Sequence, residues 1–318
     1  MSAPGVTHLA LVGPSASGKS ALAFDAARAL EDVEIVSMDS MQVYRRLDIG
    51  TAKPTIAERA AVRHHLVDIV DPWEEWSVAR FQAAARAAVV DIEARGRRAL
   101  LVGGTGLYVQ ALLDDLRFPP EDRELRAQLE ARTAEPGGLE LAFAQLVRAD
   151  PVAASRIEPG NARRIVRALE VLELTGQPFS STGPGIGHYG PHALPVRVFG
   201  LWLPRAVVDQ RISERVQAMR AHGLVDEVRG LVENGAACLS RTARQAIGYK
   251  EVLAYLEGGG NGDATAPIDH AFSLIERRTR ALARRQRMWF RRDPRITWVG
   301  AAENPAVLGG TLLQAWRA

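Results

Sequence analysis

Eight consecutive residues, Gly13-Pro14-Ser15-Ala16-Ser17-Gly18-Lys19-Ser20, fit the pattern G-x-x-x-x-G-K-[ST]. An apolar run over 7–12 leads into them and an alanine-rich stretch over 20–30 follows, the strand–loop–helix context in which that pattern cradles phosphate. The glycines let backbone N–H groups turn toward an anion, the helix start adds its positive dipole end, and Lys19 supplies a mobile charge. Ser20 is placed to coordinate Mg²⁺. A hydrolysing motor adds an apolar strand that ends in a carboxylate. Here the run over 99–102 passes into Gly103-Gly104-Thr105-Gly106 with no acid, which favours a small-molecule transferase on the same scaffold.

The next chemical group is Asp39, at the carboxyl end of a second apolar run over 33–37. A carboxylate there can take a proton from a nucleophile that attacks the group carried by the bound phosphate. The alternative is structural: Asp39 or Ser40 caps the following turn. Arg211 and Arg215 lie one helical turn apart, and either reach the phosphates from outside the loop or form a solvated face. Between Arg277 and Arg292 stand eight arginines and no acid. Phe272, Ile275, Thr279, Leu282, Gln286 and Trp289 recur at three- and four-residue steps as one stripe, leaving Arg280, Arg284, Arg287 and Arg291 opposite. That face suits a phosphate backbone or is an ordinary solvated surface. His64 and His65 are adjacent and cannot share a ligand on a regular element, so packing is their expected role; Trp73 and Trp76 are expected to anchor a loop.

The elements that must hold these groups alternate between strand and helix. A helix is expected over 78–95, ended by Gly96, then a third strand over 99–102. Such alternation predicts an α/β fold, a P-loop NTPase-like parallel sheet core with ligands at the strands' carboxyl ends. From 119 the pattern becomes helical, and a glycine- and proline-rich loop over 180–195 ends it. The expected organisation is a first core segment over 1–118, a helical inserted domain over 119–194, and core completion with basic helices over 195–318. Within the last segment a strand is expected over 195–203 and helices over 207–222, 242–256 and 268–292. A hydrophobic share of 47% against 24% charged residues gives no reason for long disorder. The net charge of +3 is too small to imply nucleic acid, so the local basic run matters more. One cysteine, Cys238, excludes an internal disulfide and a cysteine-based zinc site. It is expected as a small buried hydrophobe in a cytoplasmic protein. No run of about 20 apolar residues occurs, so no membrane role is expected.

Asp39-Ser40-Met41-Gln42-Val43-Tyr44, continued by Asp48-Ile49-Gly50-Thr51-Ala52-Lys53-Pro54, resembles the bacterial tRNA dimethylallyltransferase family. His64-His65-Leu66-Val67-Asp68, Gly103-Gly104-Thr105-Gly106-Leu107-Tyr108, Arg167-Ala168-Leu169-Glu170-Val171 and Gln245-Ala246-Ile247-Gly248-Tyr249-Lys250 are similar to the same family in the same order. The resemblance implies transfer of a dimethylallyl group from dimethylallyl diphosphate to N6 of the adenosine just 3′ of the anticodon, with diphosphate released. The loop would then hold a diphosphate instead of ATP, with Lys19 and a Ser20-bound Mg²⁺ neutralising it. Asp39 would accept the N6 proton, Thr105 would touch the tRNA or its target base, and Ser40, Met41 and Gln42 would neighbour the flipped adenine. The resemblance also implies contacts between the tRNA anticodon stem-loop and Arg126, Arg163, Arg164, Arg167, Gln245, Gly248, Tyr249, Lys250, Arg284, Arg285, Arg287 and Arg291. A monomer without a C-terminal zinc finger is expected. Three other readings stay open: an isopentenyltransferase acting on free AMP or ADP, an ATP-dependent metabolite kinase with Asp39 as base, and an RNA-binding protein with a vestigial anion site.

Overall fold

The computed structural model describes residues 8–183, 185–233, 239–258 and 268–317; Cys238, expected as a small buried hydrophobe, lies outside these. In chain order the elements are β1 (His8–Val12), α1 (Lys19–Arg28), β2 (Val33–Ser37), α2 (Ile56–Ala61), β3 (His64–His65), α3 (Val78–Ala94), β4 (Arg98–Gly103) and α4 (Gly106–Leu113). There follow α5 (Arg123–Ala134), α6 (Gly138–Ala149), α7 (Pro151–Ala154), α8 (Ala162–Thr175), β5 (Val196–Trp202), α9 (Arg205–Ala221), α10 (Leu224–Glu233), α11 (Tyr249–Leu256), α12 (Ile268–Phe290), β6 (Thr297–Gly300) and α13 (Gly309–Arg317). The chain divides into two compact units, 115–188 and the remainder.

In the larger unit, six parallel strands form one sheet in the order β3-β2-β4-β1-β5-β6 among the described residues. A strand covered on both faces reads as an unbroken apolar run, which is why β1 and β4 show no alternation in sequence. Their side chains still alternate in space. Leu9, Leu11, Ile35, Leu100 and Val102 pack on one face with Leu22 of α1 and Leu312 of α13. Ala10, Val12, Val36, Met38 and Leu101 pack on the other with Phe81 of α3, Ile212 of α9, Val252 of α11 and Ile275 of α12.

Two expectations change here. His64 and His65 form a two-residue strand on Ile35 and Val36, so the strand expected as third is the fourth. The helix expected over 242–256 is broken into a 3-10 turn, Ala243–Gln245, and α11. Gly248 between them has φ +101, a conformation that L side chains rarely adopt, and its N–H donates to the Glu251 carboxylate at 2.7 Å. Helices α2, α4, α10 and α13 and strand β6 had no counterpart among the elements expected from sequence.

The smaller unit contains α5 to α8 around its own core of Leu129, Leu146, Ile165 and Leu169. It begins and ends a few residues earlier than the inserted segment expected over 119–194. No described helix is long and apolar enough to cross a membrane.

Candidate active site

The sheet order decides where the chemical groups meet. Strands β1 and β2 are not neighbours; β4 lies between them. Two strand spacings of about 4.8 Å put the ends of β1 and β2 roughly 10 Å apart on one edge, with Gly103 between. The phosphate loop leaves β1 there and enters α1 through Gly18, which is left-handed at φ +85. Lys19 Nζ bonds the Pro14 carbonyl at 3.2 Å. Enclosure pushes its pKa down to about 8; attraction by Asp39 opposes the shift and repulsion by Arg215 adds to it.

Asp39 follows β2, and its Oδ1 accepts the N–H groups of Met41 at 2.8 Å and Gln42 at 3.3 Å. The capping role is therefore present, and it uses one carboxylate oxygen. A cleft of about 780 Å³ is lined by Ser15, Ala16, Gly18, Lys19 and Ser20, by Asp39 and Gln42, and by Arg211 and Arg215 of α9. Both expected outer arginines thus turn toward the loop. Arg211 Nη2 lies 3.3 Å from where a Gly18 side chain would begin. Burial holds the Arg215 guanidinium below its usual pKa while Asp39 opposes this, and its buried Nε makes no hydrogen bond among the described residues. Thr105 begins α4 two residues beyond Gly103, and its hydroxyl makes no cap hydrogen bond. Ser40 and Met41 are half-buried beside Asp39.

Residues that sequence reasoning missed also line this cleft. Thr51, Lys53 and His64 do so from the loop after Asp39 and from β3; their place in the segments that resemble the family was the available signal. Gln286, expected only as part of the inward stripe of α12, accepts from Ser15 N at 2.7 Å and Ser15 Oγ at 3.2 Å. Close packing allows this: a side chain on Gly104 would start 2.6 Å from Gln286 Nε2, and one on Gly106 would strike the Trp289 indole.

Several residues of the expected RNA-contacting set and of the arginine face of α12 have partners within the protein, and two of them are buried. Tyr249 is 0% exposed, bonded to Glu227 and to Gly50 N–H, so its side chain is a core group. Gly248 is buried and serves the turn already described. Arg126 and Arg167 grip the fully buried Glu170, each at 2.7 Å, because a buried carboxylate must be paired. Burial alone would raise the Glu170 pKa; the hydrogen bonds from Arg167 and Arg126 outweigh it and hold the group below the usual range. The Gln42 amide is taken up by Ser37 Oγ and by the Thr51 and Ala52 carbonyls. Arg280, read as part of the outward face, bonds Ser213 and Glu276. Arg287 stacks on Trp202, 3.3 Å from the ring centroid. Arg163, Arg164, Gln245, Lys250, Arg284, Arg285 and Arg291 are exposed. Gln245 and Lys250 also line a second cavity, of about 480 Å³, with Arg241 and Arg244.

The family model IPP transferase matches residues 42–293, more than half of the chain, beginning just after Asp39. A tRNA dimethylallyltransferase of Kineococcus radiotolerans is 50% identical over 308 residues, covering 95% of this chain and 93% of its own length. Among solved structures, the tRNA isopentenylpyrophosphate transferase of Bacillus halodurans is 37% identical with a TM-score of 0.69, covering 97% of this chain and 95% of that one. A eukaryotic dimethylallyltransferase acting on tRNA is 26% identical with a TM-score of 0.76, covering 94% of this chain and 74% of that one.

Proposed function

The chain belongs to the IPP transferase family, and from that premise we propose that it transfers a dimethylallyl group from dimethylallyl diphosphate to N6 of the adenosine just 3′ of the anticodon in tRNA. The observation that carries this reading is the single cleft shared by the phosphate loop and Asp39, with Lys19, Arg211 and Arg215 on its walls. Diphosphate is a leaving group, so cations that stabilise it as the allylic C–O bond breaks act mainly on the transition state. Asp39 faces the opposite need: as N6 bonds to the allylic carbon, its proton must leave, and a carboxylate receives it. A separation of roughly 10 Å between the strand ends leaves room for diphosphate, a five-carbon chain and the incoming amine. The adenine must be unstacked to reach such a cleft.

Ser20 is exposed at the start of α1 and presents a hard oxygen. Among the described residues no three His, Cys, Asp or Glu side chains converge as a metal-ligand set. A Mg²⁺ held by Ser20 would therefore take its other ligands from diphosphate oxygens and water, which suits that ion. When bound it would supply charge neutralisation at the leaving group. We place the reaction in the cytoplasm with the protein acting as a monomer, in keeping with tRNA as substrate.

The test is transfer of labelled dimethylallyl to anticodon stem-loops in which the target adenosine is replaced by a base lacking the N6 amine. Labelling should vanish, and unchanged labelling rejects the proposal; equal activity on free AMP would favour the free-nucleotide alternative. Asp39→Asn separates the two roles of this side chain, since the amide oxygen can still accept from Met41 and Gln42. It should lower kcat by about 10²- to 10⁴-fold with tRNA affinity unchanged.

A further inference from the structure

Resting on that reading, we propose that Tyr249 and Glu227 are positioning residues for the transfer, holding the loop over 48–52 so that it fixes the turn that carries Asp39. The buried phenol and the carboxylate together bind three consecutive backbone N–H groups. Glu227 accepts from Asp48 N at 3.1 Å and from Ile49 N at 2.9 Å. Tyr249 donates to Glu227 Oε1 at 2.5 Å and accepts from Gly50 N at 3.2 Å. The fit leaves no slack, because any side chain on Gly50 would enter the Tyr249 ring.

The next two carbonyls pass the constraint on. Thr51 O and Ala52 O accept from Gln42 Nε2 at 3.3 and 3.2 Å. Gln42 Oε1 accepts from Ser37 Oγ at 3.0 Å, and Gln42 N–H donates to Asp39 Oδ1 at 3.3 Å. One glutamine is thus tied to β2 before Asp39 and to Asp39 itself, and its outer end rests on the loop that Tyr249 and Glu227 hold.

Packing alone does not explain the phenol. A phenylalanine would keep the ring in the same buried cluster, which includes Leu224, Val228 and Val252, whereas a hydroxyl buried there is costly unless bonded. Burial raises the Tyr249 pKa and the neighbouring Glu227 raises it further, so the hydroxyl stays a donor. The loop has a separate anchor in Lys53, whose Nζ binds Tyr44 O at 2.7 Å and Asp48 and Asp68 at 2.5 Å each. Loss of the phenol hydroxyl should therefore loosen the loop without unfolding it.

Tyr249→Phe is the test, read in two ways. Because small misplacement of a reacting group is costly, kcat should fall about 10- to 100-fold, with KM for dimethylallyl diphosphate unchanged, since the phosphate loop lies outside the relay. Amide exchange at Met41 and Gln42, whose N–H groups Asp39 holds, should accelerate in the unliganded protein. If the effect runs through Gln42, Tyr249→Phe combined with Gln42→Ala is no slower than Gln42→Ala alone. Unchanged exchange at Met41 and Gln42 overturns the proposal, as does a higher KM for tRNA at unchanged kcat. A wild-type protein that transfers no dimethylallyl group would instead reject the functional reading, and the exchange measurement would still decide the relay.

Discussion

Enclosure disfavours the charged form of Lys19 and pushes its pKa from the ordinary 10.5 down to about 8. Two consequences of opposite sign follow. The ammonium is less favourable in the folded protein than in the unfolded chain, so this group alone makes folding more favourable as pH rises from about 8 toward 10.5. Diphosphate binding needs that same ammonium. KM for dimethylallyl diphosphate should be level below pH 8 and climb about tenfold per unit above it, and Lys19→Met should weaken binding and remove the climb. A slope shared by wild type and Lys19→Met would place the titration on the ligand. The loop was legible in sequence because eight contiguous residues contain its chemistry, and Asp39 because it ends a strand. The internal partners of Arg126, Arg167 and Tyr249 were not legible. A guanidinium facing a phosphate and one facing a buried Glu170 look alike until the fold supplies the partner.

Helix α12 shows what periodicity can and cannot reveal. Its three- and four-residue stripe correctly gave the inward face, since Phe272 and Ile275 are buried. It could not show that Gln286 meets the phosphate loop or that Trp289 lies over Gly106. The break before α11 escaped notice for a related reason: the positive φ of Gly248 is an answer to tertiary packing, and an isolated glycine within a helical pattern is otherwise tolerated. Opposing terms at Gly106 make the contact testable. Alanine improves helix propensity by at most about 1 kcal/mol, while overpacking against an indole costs about 1–3 kcal/mol. Gly106→Ala should therefore destabilise the protein and, by displacing Gln286, weaken diphosphate binding. Gly230 in α10 has nothing within 4 Å of the same position, and Gly230→Ala should instead stabilise by about 0.5–1 kcal/mol. Urea midpoints of the two variants moving in the same direction would contradict this account.

At the scale of the whole molecule, the larger unit is interrupted between Asp114 and Tyr189, and one side chain joins the two ends. Arg295, just beyond α12, bonds Asp114 at 2.5 Å and the Gly190 carbonyl at 2.7 Å, lies over the Tyr189 ring at 5.1 Å, and pairs with Asp293 at 2.6 Å. Burial alone would lower its pKa, but hydrogen bonds to Asp293 and Asp114 reverse that and keep the guanidinium charged. With both ends in reach of one guanidinium, a linker of a few residues can replace 116–187, and a shorter connection lowers the entropy cost of closure. The shortened chain should fold and bind dimethylallyl diphosphate, since every group lining the cleft lies in the larger unit. It should bind tRNA more weakly, having lost the exposed Arg163 and Arg164. Arg295→Ala should cost about 3–5 kcal/mol, because Asp114 and Asp293, 9% and 11% exposed, would remain without their partner. Urea unfolding and calorimetric titration with dimethylallyl diphosphate check these outcomes. A shortened chain that cannot fold would show that the larger unit depends on the inserted helices, whatever Arg295 contributes.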